Sequence, residues 1–277
     1  MKQEVDFVKL NPTQNMTILV KTKHPAEEYQ RIASRMMSYD SVYAEQVGFI
    51  ETPSRQEAEA HLQMAGGEFC GNACMALAVY VASGKGLCPE DSMNIVLQTS
   101  GTDQLISCRV RVVADQYLCK IAMPVPRKLE QRQITYEGAE LDVAIVRYPD
   151  FYHLVIEVES FSEEVREKAQ ALAKLLGVTQ GSSLVGVLLY KTESGEMAPL
   201  IYVPPVDSMI WERGCGSGTA SLGAYLSWKR KGGVEEPVRQ PGGTIHVTAD
   251  WSGGEVTSVW IEGTVGIAAQ GQAYIEL

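Results

Sequence analysis

The chain has 277 residues, room for two domains of ordinary size rather than one extended core. Its formal net charge of −10 at pH 7 excludes the basic balance that nucleic acid or an anionic membrane would call for, so neither is expected as a partner. No apolar run approaches a membrane span, and Met1-Lys2-Gln3-Glu4-Val5-Asp6 lacks the form of a signal peptide. A cytoplasmic protein with its six cysteines as free thiols is the expectation.

In chain order, Val5–Lys9 and Met16–Thr22 read as strands around an Asn-Pro turn, and Pro25–Met37 as an amphipathic helix. Gln46–Glu51 and His61–Met64 read as strands. Gly66-Gly67 then permits a tight turn into a helix that begins at Cys70. Ile95–Thr99, Gln104–Val113 and Tyr117–Met123 form an antiparallel meander. Two prolines in Met123-Pro124-Val125-Pro126 suit a crossover between domains.

The second half repeats this plan. Strands are expected at Leu141–Val146 and His153–Val158. A charged helix follows over Ser162–Leu176, with Ser162 as N-cap and Gly177 beyond its end. Val185–Lys191 and Leu200–Val203 are strands that lead to a helix beginning at Cys215. Thr244–Thr248 and Val256–Glu262 are late strands, and Tyr274–Leu277 is placed back in the first sheet. The expected fold is α/β with mixed sheets, in two pseudo-symmetric halves with an active cleft between them. Residues 1–124 carry Cys70, with strand 265–277 returning to them, and residues 125–264 carry Cys215.

Two short stretches share one design. Cys70-Gly71-Asn72-Ala73-Cys74-Met75-Ala76-Leu77-Ala78-Val79-Tyr80 and Cys215-Gly216-Ser217-Gly218-Thr219-Ala220-Ser221-Leu222-Gly223-Ala224-Tyr225 repeat Cys, Gly, Leu and Tyr in register. Each places a thiol at the start of a buried helix, where free N–H groups and the helix dipole favour a thiolate. The same N–H groups can hold a carboxylate. Gly71 and Gly216 let that backbone approach a ligand, and Asn72 and Ser217 add polar side chains.

Two thiols so placed suit removal of a proton from one face of a carbon and return to the other. A lone cysteine before a helix is ordinarily packing; duplication is what argues for function. Cys74, Cys88, Cys108 and Cys119 read as small buried hydrophobes. No Cys-x2-Cys pair or neighbouring His completes a zinc set, so no metal is expected. No glycine-rich phosphate cradle is paired with a candidate lysine, and no cofactor is expected.

Glu212 and Arg213 precede the second thiol. The carboxylate can take a substrate ammonium, while Arg213 could bind an anionic group or form a surface ion pair. Asn15 lies in a polar loop, and Glu45-Gln46 leads into an apolar strand; each alone reads as a turn or a solvated edge. The four histidines are scattered and read as structural.

At Cys70-Gly71-Asn72-Ala73 and Glu212-Arg213-Gly214-Cys215-Gly216-Ser217-Gly218-Thr219 the chain resembles the cofactor-independent, two-cysteine amino-acid racemases, a group that includes diaminopimelate epimerase and proline racemase. The resemblance runs the length of the chain, from Asn15 to Gln240-Pro241-Gly242-Gly243-Thr244. Where diaminopimelate epimerases carry Asn-x-Asp-Gly-Ser before the first cysteine, this chain has Met64-Ala65-Gly66-Gly67-Glu68.

The chain is more similar to the histidine racemases of nicotianamine-like metallophore pathways. That similarity rests on Asn11-Pro12 through Val20, Glu45–Glu51, Glu68–Ala73, Pro199–Pro204 and Cys215–Ser221. It implies interconversion of L- and D-histidine with Cys70 and Cys215 as the acid–base pair. It also implies Asn15, Glu45, Gln46, Gly71, Asn72, Glu212, Arg213, Gly216 and Ser217 at the substrate. Glu45 would meet either the imidazole or the ammonium. The alternatives are diaminopimelate epimerase or another epimerase and, from a different class, a catalytically silent amino-acid-binding protein. The implied partner is a small amino acid; a homodimer is compatible with the sequence.

Overall fold

The computed structural model describes residues 2–136, 139–180, 184–204 and 207–276. The chain divides into two compact units, Met1–Ala122 with Glu262–Leu277, and Met123–Ile261.

In the first unit β1 (Lys2–Pro12), β2 (Thr17–Val20), β3 (Gln46–Glu51), β4 (Ala60–Met64), β5 (Ser92–Thr99), β6 (Ile106–Val113) and β7 (Gln116–Met123) follow one another across the sheet. The crossover from β2 to the parallel β3 carries α1 (Tyr29–Met37), preceded by a short 3-10 turn at Ala26–Glu28. The helix buries Tyr29, Ile32, Ala33 and Met36 among Phe7, Ile18, Val20, Val47 and Phe49. The crossover from β4 to the parallel β5 carries α2 (Gly71–Gly84). From Gly71 to Val79 every residue of α2 is buried. A helix so short in side chain and apolar on all sides can only sit inside a core.

The second unit repeats this connectivity. Its strands are β8 (Lys128–Tyr136), β9 (Ala139–Arg147), β10 (Phe151–Glu157), β11 (Leu184–Lys191), β12 (Glu196–Val203), β13 (Ser208–Trp211), β14 (Val234–Gln240) and β15 (Gly243–Ser252). β10 runs parallel to β11 across α3 (Glu163–Gln180), and β12 parallel to β14 across α4 (Gly216–Arg230). The antiparallel pairs β9–β10, β11–β12 and β14–β15 match β1–β2, β3–β4 and β5–β6. The fold is thus mixed α/β in two pseudo-symmetric halves, each organised on one buried helix capped by a cysteine.

Several expectations change. β16 (Glu255–Glu276) is one strand of 22 residues where two pieces were expected, and Val265–Glu276 lie along β1 over its whole length. Leu277 falls outside the described residues. α3 starts as expected, with Val165 N–H donating to Ser162 Oγ at 3.3 Å, but runs through Gly177 to Gln180. A Cβ on Gly177 would fall 2.6 Å from the Tyr202 ring, so this glycine serves close helix–strand packing rather than termination.

β8, β13 and β14 carry no clear apolar alternation and were not foreseen. Pro12 and Pro199 lie within strands; Pro199 still supplies an acceptor, its carbonyl taking the Glu212 N–H at 2.9 Å. Cys74, Cys108 and Cys119 are buried, but Cys88 is exposed, because it sits in the turn after α2. No helix among the described residues is long and apolar enough to cross a membrane.

Candidate active site

Cys70 is the N-cap of α2, in extended conformation at φ −130° and ψ 110°. Its Sγ accepts from the Ala73 N–H at 3.4 Å. The approach to it is set by Gly67, whose φ of +77° only glycine adopts freely, and by Gly101, where a Cβ would lie 2.1 Å from the Phe69 nitrogen. Cys70 is half-buried.

Its thiol donates to Gln46 Oε1 at 2.8 Å. Gln46, the first residue of β3, in turn donates through Nε2 to Asn15 Oδ1 and to Thr17 Oγ1, both at 2.8 Å. Thr17 Oγ1 donates to the Asn15 carbonyl at 3.1 Å. Asn15, Gln46 and Cys70 therefore form one connected polar group. Thr17, fully buried in an apolar strand, belongs to it too. Its only sequence signal was a hydroxyl amid Met16, Ile18 and Leu19.

Gly71 and Asn72 are buried as the first helical residues behind Cys70. Glu45 is exposed, just ahead of β3, its N–H bonded to the Met16 carbonyl at 2.9 Å. The upstream Glu68 was not among the expected site residues. Burial raises its carboxyl pKa above the usual range, against backbone N–H groups at Glu68 and Gly66 that lower it.

In the second unit Cys215 is the N-cap of α4, at φ −110° and ψ 108°, and its Sγ accepts from the Gly218 N–H at 3.3 Å. The two caps are the same local structure. A Cβ on Gly218 would lie 3.1 Å from Cys215 Sγ and 2.9 Å from Leu188, so glycine keeps the thiol's space open. The Cys215 N–H donates to Gln240 Oε1 at 2.8 Å, Gln240 Nε2 to Thr219 Oγ1 at 2.8 Å, and Thr219 Oγ1 to the Cys215 carbonyl at 2.6 Å. This closed ring fixes the residue from its backbone. Gln240 and Thr219 were missed as site residues because a glutamine before a Pro-Gly turn looks like surface.

Cys215 is 2% exposed. Burial pushes its thiol well above the usual cysteine range, and the Glu212 carboxylate, which accepts from it, pushes the same way. Ser217, 3.6 Å away, and the Gly218 N–H oppose this. Arg213 is exposed and donates to the Pro241 carbonyl at 3.2 Å, while the Gly242 N–H reaches the Arg213 carbonyl at 2.6 Å. Arg213 thus braces the Pro241-Gly242 turn that holds Gln240. Gly216 is buried behind Cys215.

Each unit therefore offers a thiol at a helix N-terminus, beside the first-turn helix N–H groups and an acceptor, Gln46 in one case and Glu212 in the other. Such a group can hold a carboxylate and exchange a proton.

This fold is shared with a hydroxyproline epimerase from Agrobacterium vitis, with a TM-score of 0.73 at 12% identity over 99% of this chain and 93% of that one. At that identity the likeness is one of fold. Within it, residues 4–274 match the family described as "Histidine racemase CntK N-terminal domain", and the chain belongs to this histidine racemase family. It is 33% identical to the histidine racemase of Staphylococcus aureus over 99% of both chains. It is 32% identical to that of Fusobacterium nucleatum over 99% of this chain and 98% of the relative.

Proposed function

We propose that this protein racemises histidine without a cofactor, with Cys70 and Cys215 as the acid–base pair. The observation that carries the reading is the matching capping of two helices by thiols in a chain related over its full length to histidine racemases. One cysteine, as thiolate, takes the α-proton; the electron pair left on carbon delocalises into the substrate carboxylate. The other cysteine, as thiol, delivers a proton to the opposite face. The net change is inversion at the α-carbon, with the two sulfurs' protonation states exchanged.

Helix N–H groups favour the carboxylate as its charge builds. We assign the substrate ammonium to Glu212, the carboxylate beside Cys215. The resemblance to racemases of metallophore pathways leads us to assign the D-histidine product to an opine-type, nicotianamine-like metallophore, made in the cytoplasm.

The test is to incubate the protein with single L-amino acids in D2O and follow the α-proton signal. Histidine should lose it and gain the D-enantiomer, while diaminopimelate, proline and alanine should react far more slowly. A site that hydrogen-bonds an imidazole leaves buried polar groups unpaired with other side chains. Equal exchange of diaminopimelate and histidine would overturn the substrate assignment, and no exchange of any amino acid would overturn the racemase.

A further inference from the structure

The hydrogen bonds that link Thr17, Asn15 and Gln46 to Cys70 run in one consistent direction. The Thr17 hydroxyl has a single proton, and it goes to the Asn15 carbonyl, which can only accept. Thr17 Oγ1 is therefore left as an acceptor for Gln46 Nε2, 2.8 Å away. That contact decides which end of the Gln46 carboxamide is nitrogen, and the Asn15 Oδ1 contact to the same nitrogen agrees with it. With both N–H groups of the amide engaged, its oxygen is the atom that faces Cys70 Sγ at 2.8 Å. An amide oxygen can only accept, so the sulfur facing it must carry the proton.

We propose that Gln46, oriented by Thr17 and Asn15, is a positioning residue that holds Cys70 as the thiol in the ligand-free protein. Within the racemase reading, on which this rests, Cys70 starts as the proton donor. It becomes a base only when the amide turns its N–H toward sulfur or a bound ligand takes over the bond. Turning breaks the contacts to Thr17 and Asn15 together, so the orientation is held at two points. Cys215 faces a carboxylate instead of an amide: burial and the negative charge of Glu212 hold its proton on sulfur.

The charged groups at the ends of β3 and in the turn before α2 are Glu45, Glu51 and Glu68. Along β3, Glu45 is exposed ahead of the strand, and Glu51 at the far end is bonded to Tyr29 and His61. Glu68, two residues upstream, has its carboxyl pushed toward the neutral form by burial. On β2 and on α2 up to Val79 there is no charged side chain.

The test reads the thiol itself and needs no substrate, so it stands apart from any failure of the racemase assignment. In full-length protein carrying Cys88→Ser and Cys215→Ala, thiolate absorbance near 240 nm is followed against pH. Thr17→Val removes one of the two acceptors that fix the amide and should lower the apparent pKa of Cys70 by roughly one unit, since N–H groups can then turn toward the sulfur more readily. Thr17→Ser keeps the hydroxyl and should leave it in place. Gln46→Glu puts a carboxylate against the sulfur and should raise it. A role in packing alone would lower the melting temperature of these variants and leave the thiol pKa unmoved. That result, in Gln46→Glu alone if Thr17→Val does not fold, overturns the proposal.

Discussion

His153 Nδ1 lies 2.7 Å from Ser221 Oγ, on the helix whose first turn is capped by Cys215. Tyr148 Oη reaches the same hydroxyl at 3.0 Å, so one serine ties β10 and the end of β9 to α4. His153 is fully buried, and burial alone lowers its pKa from 6.5 to about 3. The folded protein therefore holds a neutral imidazole that the unfolded chain would protonate first. Stability from this residue is whole above the unfolded pKa and is lost as pH falls from about 6.5 toward about 3, at about 1.4 kcal/mol per unit. Melting temperatures at pH 7 and pH 4.5 should fall further apart in the wild type than in His153→Asn; equal differences would show that His153 does not set the acid limit.

Gly186 pairs with His153 in the β10–β11 register, and a Cβ there would lie 2.2 Å from the imidazole. Gly186→Ala should therefore destabilise the second unit by about 1–3 kcal/mol through overpacking. Denaturant unfolding at neutral pH measures this, and an unchanged midpoint would mean that the ring can yield.

Cys70→Ala and Cys215→Ala should each abolish racemisation while the circular dichroism spectrum stays native. Serine at either position should also be poor, because a hydroxyl is a far weaker acid than a thiol. Iodoacetamide should inactivate, with substrate protecting. Two-way turnover by either purified single variant would falsify the two-base mechanism.

Glu45→Ala should cut kcat/KM by tens-fold or more, each factor of ten being about 1.4 kcal/mol of lost transition-state binding. Its exposed position at the head of β3 makes the alternative plain: a solvated carboxylate would give a wild-type rate. Steady-state kinetics with L-histidine separates the two.

Gln240→Leu leaves the Cys215 N–H without its side-chain acceptor inside the protein. Loss of this buried partner should cost about 1–3 kcal/mol of stability. It should lower kcat more than it raises KM if the cap geometry serves chemistry rather than binding. A fall in stability with kcat intact would make Gln240 purely structural.

The sequence by itself determined the repeated architecture and the two thiols. Cys-Gly followed by small apolar residues reads as the start of a buried helix, and that signal is local. The apolar runs in Gln46–Glu51 and Val185–Lys191 were equally local and placed those strands to within a residue. Tertiary structure decided what each thiol faces. Gln46 lies 24 residues from Cys70, and Gln240 lies 25 from Cys215, so neither bond leaves any pattern along the chain. The same holds for Gly177, which reads as a helix stop until the Tyr202 ring across from it shows that the glycine makes room for packing. Hydrogen-bond direction at Cys70 is the furthest from the sequence: it depends on where one Thr17 proton goes, and only the folded arrangement of Asn15, Thr17 and Gln46 fixes that.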